Sequence, residues 1–180
     1  MHIAFVGDTH GKLEQMYSMV NAWEKEHKVN VDYIVQIGDF GIWFDDGASA
    51  KMGKNHRHYS DITKYIEMGS VPKLTFFIRG NHEDFTYLWK LVDKKDTPQI
   101  EITKNLIWLR NGFIFDIFGL KYGALGGNYG SANFNGTELD AKQSKRRHFY
   151  EAELNNLKNQ DIDILLTHDA PTGILNGKKF

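Results

Sequence analysis

Leu74-Thr75-Phe76-Phe77-Ile78-Arg79-Gly80-Asn81-His82-Glu83 decides how the rest of the chain is read. Its first five residues form an apolar run of strand length, which reads as a buried strand. The run gives way to a glycine, where the backbone can turn sharply. An amide, an imidazole and a carboxylate then follow in a row, and none of them belongs in an apolar core.

Other strands end in the same way. The run at 2–6 stops at Gly7-Asp8-Thr9-His10-Gly11, the run at 33–37 at Gly38-Asp39-Phe40-Gly41, and the run at 162–166 at Thr167-His168-Asp169. Between them, Leu13, Met16, Tyr17, Val20 and Trp23 recur at helical spacing to about residue 27. Ile62, Tyr65, Ile66 and Met68 mark a short helix, and Phe85, Leu88, Trp89 and Val92 another before Pro98. The order is βαβαβ. Three strand-like runs follow, at 106–109, 113–118 and 120–125. Asn111-Gly112 and Gly119 separate them, which reads as antiparallel hairpins. A glycine-rich turn, Gly126-Gly127-Asn128-Tyr129-Gly130, leads to a helical pattern over 141–157 and the last strand. The expectation is one α/β domain over 1–180, with mixed sheets covered by helices in a layered sandwich.

Composition excludes several classes. The chain has 180 residues, of which 41% are hydrophobic, enough for one sizeable core. Its 22 basic and 23 acidic residues leave no broad basic surface for a polyanion. With no cysteine there is neither a disulfide framework nor a thiolate metal site. The N-terminus lacks the basic and long apolar regions of a signal peptide, and no apolar run reaches the roughly 20 residues of a membrane span. A cytoplasmic protein without a membrane partner is expected.

Ligands of α/β sheets bind beyond the carboxyl ends of the strands. If the strands are parallel neighbours, Asp8, His10, Asp39, Asn81, His82 and His168 converge on one rim. Asp8 and His10 would grip one ion together if their segment is extended, because residues i and i+2 then point the same way. Carboxylate, imidazole and amide oxygen suit Mn²⁺, Fe or Zn²⁺, and Mg²⁺ less well. Two ions about 3.5–4 Å apart, bridged by one carboxylate, would use the whole set, generate hydroxide at neutral pH and clamp a phosphoryl group.

Gly7-Asp8-Thr9-His10-Gly11, Gly38-Asp39, Gly80-Asn81-His82-Glu83 and Thr167-His168-Asp169 resemble, in order, the motifs of the calcineurin-like metallophosphoesterase family. The resemblance implies a four-layer α-β-β-α sandwich with two mixed sheets and a dinuclear site. Asp8 and His10 would hold the first metal, Asp39 would bridge, and Asn81 and His168 would hold the second. His82 would sit near the leaving oxygen, as general acid or as a charge on the phosphate. The implied activity is metal-dependent hydrolysis of phosphomonoesters or phosphodiesters, with a nucleotide or nucleic acid among the substrates. Two departures stand out. The family's closing Gly-His-x-His motif is absent, and residues 172–180 read as a loop leading onward, so the chain is expected to be cut short of it. The second motif continues Asp39-Phe40-Gly41-Ile42-Trp43, without the Asp-Arg-Gly of Ser/Thr protein phosphatases, and looks closer to the small microbial phosphoesterases and phosphodiesterases. A non-catalytic scaffold on the same fold is the alternative.

Plainer roles stand beside these. Asp8 and Asp39 could be helix N-caps, Asn81 a left-handed turn residue, and His168 a core histidine, with Asp169 orienting its ring. Glu83 reads as support or a helix cap. His56, Arg57 and His58, in a long polar loop, are substrate-binding candidates together with Asn81. Arg146, Arg147 and His148 read as an exposed helix face within reach of a phosphate. Trp43, Phe44 and Tyr129 would stack on a base or sugar, or pack.

Overall fold

Strand β2 (Tyr33–Ile37) is enclosed on both sides, and its alternate residues go to different cores. Ile34 joins a cluster with Leu13, Met16 and Val20 of α1 (Leu13–His27), Ile62 and Tyr65 of α2 (Ile62–Glu67), and Leu88 and Trp89 of α3 (Phe85–Lys95). Tyr33 and Val35 point the other way, to Phe115, Ile117, Tyr122, Ala124 and Leu166 of a second sheet. The period of two thus separates a helix-facing layer from an inter-sheet layer. The computed structural model describes residues 1–44, 60–132, 134–136 and 146–170.

The first sheet runs β1-β2-β3-β4, with β1 at Ile3–Val6, β3 at Ser70–Ile78 and β4 at Gln99–Leu109. The second runs β5-β6-β7, with β5 at Ile114–Ile117, β6 at Leu120–Leu125 and β7 at Ile164–Thr167. Helix α4 (Glu151–Leu157) covers the second sheet, completing the four layers.

Three expectations need correction. The first sheet is parallel throughout, and only the second is mixed. Asn111-Gly112 is not a hairpin, because β4 pairs with β3 after the α3 crossover. Instead it carries the chain from one sheet to the other: the Asn111 side chain accepts from Gly126 N at 2.7 Å and donates to Gly126 O at 2.8 Å. Phe118-Gly119 is the true hairpin turn, both residues at positive φ. Among the described residues of the helical pattern over 141–157, the helix begins at Glu151. Residues 141–145 lie outside the described part. Residues 147–149 lie alongside Asn128, which donates to Arg147 O at 3.0 Å and accepts from Phe149 N at 3.2 Å, so these backbone groups are not available to a helix. No helix among the described residues is long and apolar enough to cross a membrane.

Candidate metal centre

Beyond the strands of the first sheet, the turns after β1 and β2 are bonded to each other. Asp8 N donates to Gly38 O at 3.2 Å, His10 N to Asp39 O at 2.8 Å and Gly11 N to Phe40 O at 2.9 Å, while Thr9 Oγ1 donates to Phe40 O at 2.9 Å. Gln36, a polar residue inside an apolar strand and wholly buried, fastens the second turn through Gly38 N and O. Asp8, His10 and Asp39 all hold left-handed backbone, at φ of 46°, 47° and 54°. Such positions cost about 1–3 kcal/mol each for non-glycine residues and persist where surrounding structure enforces them.

This conformation overturns the extended-segment argument. Asp8 Oδ1 lies 3.7 Å from His168 Nδ1, whereas His10 Nε2 lies 3.5 Å from Asp39 Oδ2. Neither aspartate caps a helix: α1 is preceded by Lys12, and no helix follows Asp39 within the described residues up to 44. Asn81 is outside the left-handed region.

Asp39 stands at the middle, nearly buried, with its two oxygens directed apart. Oδ2 faces His10. Oδ1 faces His168 Nε2 at 3.5 Å and accepts the His82 backbone N–H at 2.8 Å. Ligand atoms of Asp8, Asp39 and His168 all lie within 4.8 Å of one another. His168 crosses from the second sheet and sets its Nδ1 3.0 Å from Ile37 O. A carbonyl only accepts, so Nδ1 carries the proton and Nε2 keeps its lone pair. Asn81 Oδ1 lies 2.9 Å from that Nε2. An amide and an imidazole thus stand side by side next to Asp39 and Asp8, and this set of oxygen and nitrogen donors fits a metal. The Ile37 carbonyl, not Asp169, orients the ring; Asp169 Oδ2 instead accepts from Tyr129 N at 2.9 Å.

Close approach explains two glycines. A Cβ on Gly38, at φ 100°, would lie 2.4 Å from His168 Nδ1, and one on Gly80 would lie 2.0 Å from Asp39 Oδ1.

Glu83 supports the Asp39 turn. Its carboxylate is buried and accepts backbone N–H groups from Phe40 at 2.8 Å, Gly41 and Ile42 at 2.9 Å each, and Gly80 at 3.3 Å. It is not the cap of α3; Asp84 accepts from Tyr87 N in that role. Burial, and after it the charge of Asp39, push the Glu83 carboxyl up to about 8, against the pull of the three amides of residues 40–42. Sequence reasoning also passed over Gln36 and Arg79. The available signal was a polar residue inside, or closing, an otherwise apolar run.

The His82 ring lies 5.8 Å from that of His10. His56, Arg57 and His58 fall outside the described residues. Trp43 is buried and Phe44 packs on Tyr87, with ring centroids 4.3 Å apart, so both are taken up in packing. Arg146 lies over the Trp89 ring at 4.4 Å and is not on a helix face.

An α-β-β-α sandwich whose strand ends gather carboxylates, imidazoles and one amide has the architecture of a metallophosphoesterase domain. The chain matches the family model described as calcineurin-like phosphoesterase over residues 1–179, and it belongs to that family. It is also similar to lariat debranching enzymes. The identity is 27% to that of Arabidopsis thaliana, covering 97% of this chain and 43% of the relative. It is 30% to that of Drosophila pseudoobscura pseudoobscura, covering 97% and 34%, and 26% to that of Entamoeba histolytica, covering 97% and 51%. The chain therefore spans about a third to a half of the length of these relatives.

Proposed function

We propose that this domain hydrolyses phosphate esters, phosphodiesters foremost, with two divalent ions held on either side of Asp39. The divergence of the Asp39 oxygens carries the reading: one faces His10, the other faces His168, whose Nε2 also meets Asn81 Oδ1. Asp8, His10, Asp39, Asn81 and His168 would hold the ions, with Asp39 shared between them. Mn²⁺, Fe or Zn²⁺ suits such oxygen and nitrogen donors. When bound, the ions supply an activated water and neutralise charge on the phosphoryl oxygens.

The protein's own groups do the remaining work. Asp39 Oδ1 fixes the His82 backbone, and the imidazole gives its proton to the departing oxygen as the bond from phosphorus to that oxygen breaks. The left-handed turns at Asp8, His10 and Asp39 hold their side chains before substrate arrives, so little reorganisation is needed during reaction. Similarity to lariat debranching enzymes favours a phosphodiester over a phosphomonoester.

The test uses protein stripped with chelator and reloaded with Mn²⁺. About two ions per chain and hydrolysis of bis-p-nitrophenyl phosphate that is lost on re-stripping are expected. Failure to bind metal, or turnover indifferent to chelator, would overturn the proposal.

A further inference from the structure

Tyr129 is the exposed one of the three aromatics beside the motif turns. The residue is 54% exposed although its ring stands against Phe134 at 5.3 Å and Phe149 at 6.1 Å, which themselves meet edge-on at 6.1 Å. The Asp169 carboxylate holds its backbone N–H at 2.9 Å, and Asp169 follows His168 directly. Tyr129 is thus tied to the rim of the metal centre, one residue from a proposed ligand.

The turn that carries it is anchored from below. Gly127 N donates to Arg79 O at 2.9 Å, and Asn128 is bonded on both sides to the 147–149 segment. Arg79 is wholly buried, donates to His148 O at 2.9 Å and lies 3.6 Å from the Glu153 carboxylate. Arg79 immediately precedes Gly80-Asn81-His82. One strand end therefore fixes both the aromatic turn and the proposed catalytic histidine, and the spacing between them is set by the fold. An aromatic supported on one side, open on the other and held in place loses little freedom when a flat ligand stacks on it.

We propose that Tyr129, backed by Phe134 and Phe149, is a stacking subsite for a nucleobase next to the scissile phosphate. It rests on the phosphoesterase reading and narrows it: the substrates are base-bearing phosphodiesters, not simple alkyl phosphates. Stacking tolerates any base, since every base has a π-face. The buried cation beneath the subsite, Arg79, is faced by Glu153.

The experiment compares the wild-type chain with Tyr129→Ala and Tyr129→Phe. The substrates are a dinucleoside phosphate and the same diester with an abasic sugar beside the phosphate. Tyr129→Ala is expected to lower kcat/KM on the base-bearing diester by about 5- to 150-fold, the range of one base–aromatic stack, chiefly through KM. The loss on the abasic diester should be at least several-fold smaller, and Tyr129→Phe should restore most of the difference. Equal losses on both substrates, or no restoration by phenylalanine, would overturn the subsite. A second reading needs no turnover: adenosine monophosphate added to metal-free protein should shift the Tyr129 ring resonances in NMR spectra, and unshifted resonances count against stacking. Shifted resonances in a protein that cleaves no diester would sink the phosphoesterase reading and leave the subsite standing.

Discussion

The turn after β2 is clamped directly by a buried glutamate, the turn after β6 at one remove through Asn111 and Arg79, and the clamps differ in charge. Glu83 grips residues 40–42 and Gly80 through their backbone N–H groups, and the charge that acts on it is the like-charged Asp39. Glu153 grips Asn111 and Tyr150 N, and faces the Arg79 guanidinium. Around the first turn Asp8 and Asp39 bring carboxylates together beside Glu83, whose pKa burial and the Asp39 charge raise to about 8; around the second, Glu153 faces a cation, Arg79. The difference has a physical logic. A site built to receive cations keeps uncompensated carboxylates close together, whereas a rim built to hold a neutral ring needs rigidity without a field.

The strongest way to break that comparison is to neutralise its centre. Asp39→Asn removes the carboxylate that faces both halves of the donor set, so metal content and turnover should fall to background together. A full metal complement in that variant would rule out bridging. His82→Ala leaves the donors in place. Turnover should drop by about 10²–10⁴, the range typical of a positioned general acid, with metal content retained; unchanged turnover would remove the proton-donor role.

The balanced clamp is tested by unbalancing it. Glu153→Leu removes the carboxylate that faces Arg79 and the acceptor of Asn111 Nδ2 and Tyr150 N, and should cost about 3–5 kcal/mol of unfolding free energy, the usual price of breaking a buried pair from one side. Adding Arg79→Met should recover the part of that loss that comes from the ion pair, because a buried pair replaced by apolar groups is often close to neutral. Metal stoichiometry should hold in both variants. If the double variant is less stable than Glu153→Leu, the pair is more than a local charge balance.

How much of this was legible follows from which contacts are local. The apolar strands, the glycines that close them and the polar residues just beyond lie within a few residues of each other, so the rim of Asp8, His10, Asp39, Asn81, His82 and His168 could be read directly. The directions of Asp8 and His10 could not, because their left-handed backbone is imposed by hydrogen bonds to residues 38–40. Glu83 reads as support, but what it supports lies more than forty residues upstream. Asn111-Gly112 carries a hairpin signature, yet β4 finds its partner in β3 and the turn becomes a crossing between sheets. The 146–150 segment has helical periodicity on paper; its pairing with Asn128 is set by the far end of β6 and outweighs that local preference.

The uncompensated clamp makes the smallest and most specific prediction. The two Glu83 oxygens each meet two backbone N–H groups. In Glu83→Gln one of those positions becomes an amide NH₂ that cannot accept, so two donors lose their partner, at about 1–3 kcal/mol each. The pH dependence separates this from a plain packing defect. The folded-state pKa is raised from 4.5 to about 8, so the folded chain holds the proton more tightly than the unfolded one. The resulting stabilisation is complete below pH 4.5 and is lost as pH rises through about 8. A protonated carboxyl still accepts through both oxygens, so wild type should exceed Glu83→Gln most at the acid end of that window, with the gap narrowing toward pH 8. Saturating divalent metal should flatten the wild-type slope, because cations on Asp39 cancel the charge that helps to raise Glu83. Denaturant unfolding of both proteins across this range, with and without Mn²⁺, measures all three effects. A gap that stays constant with pH would mean that Glu83 acts through shape alone, and that the contrast between the two clamps is not electrostatic.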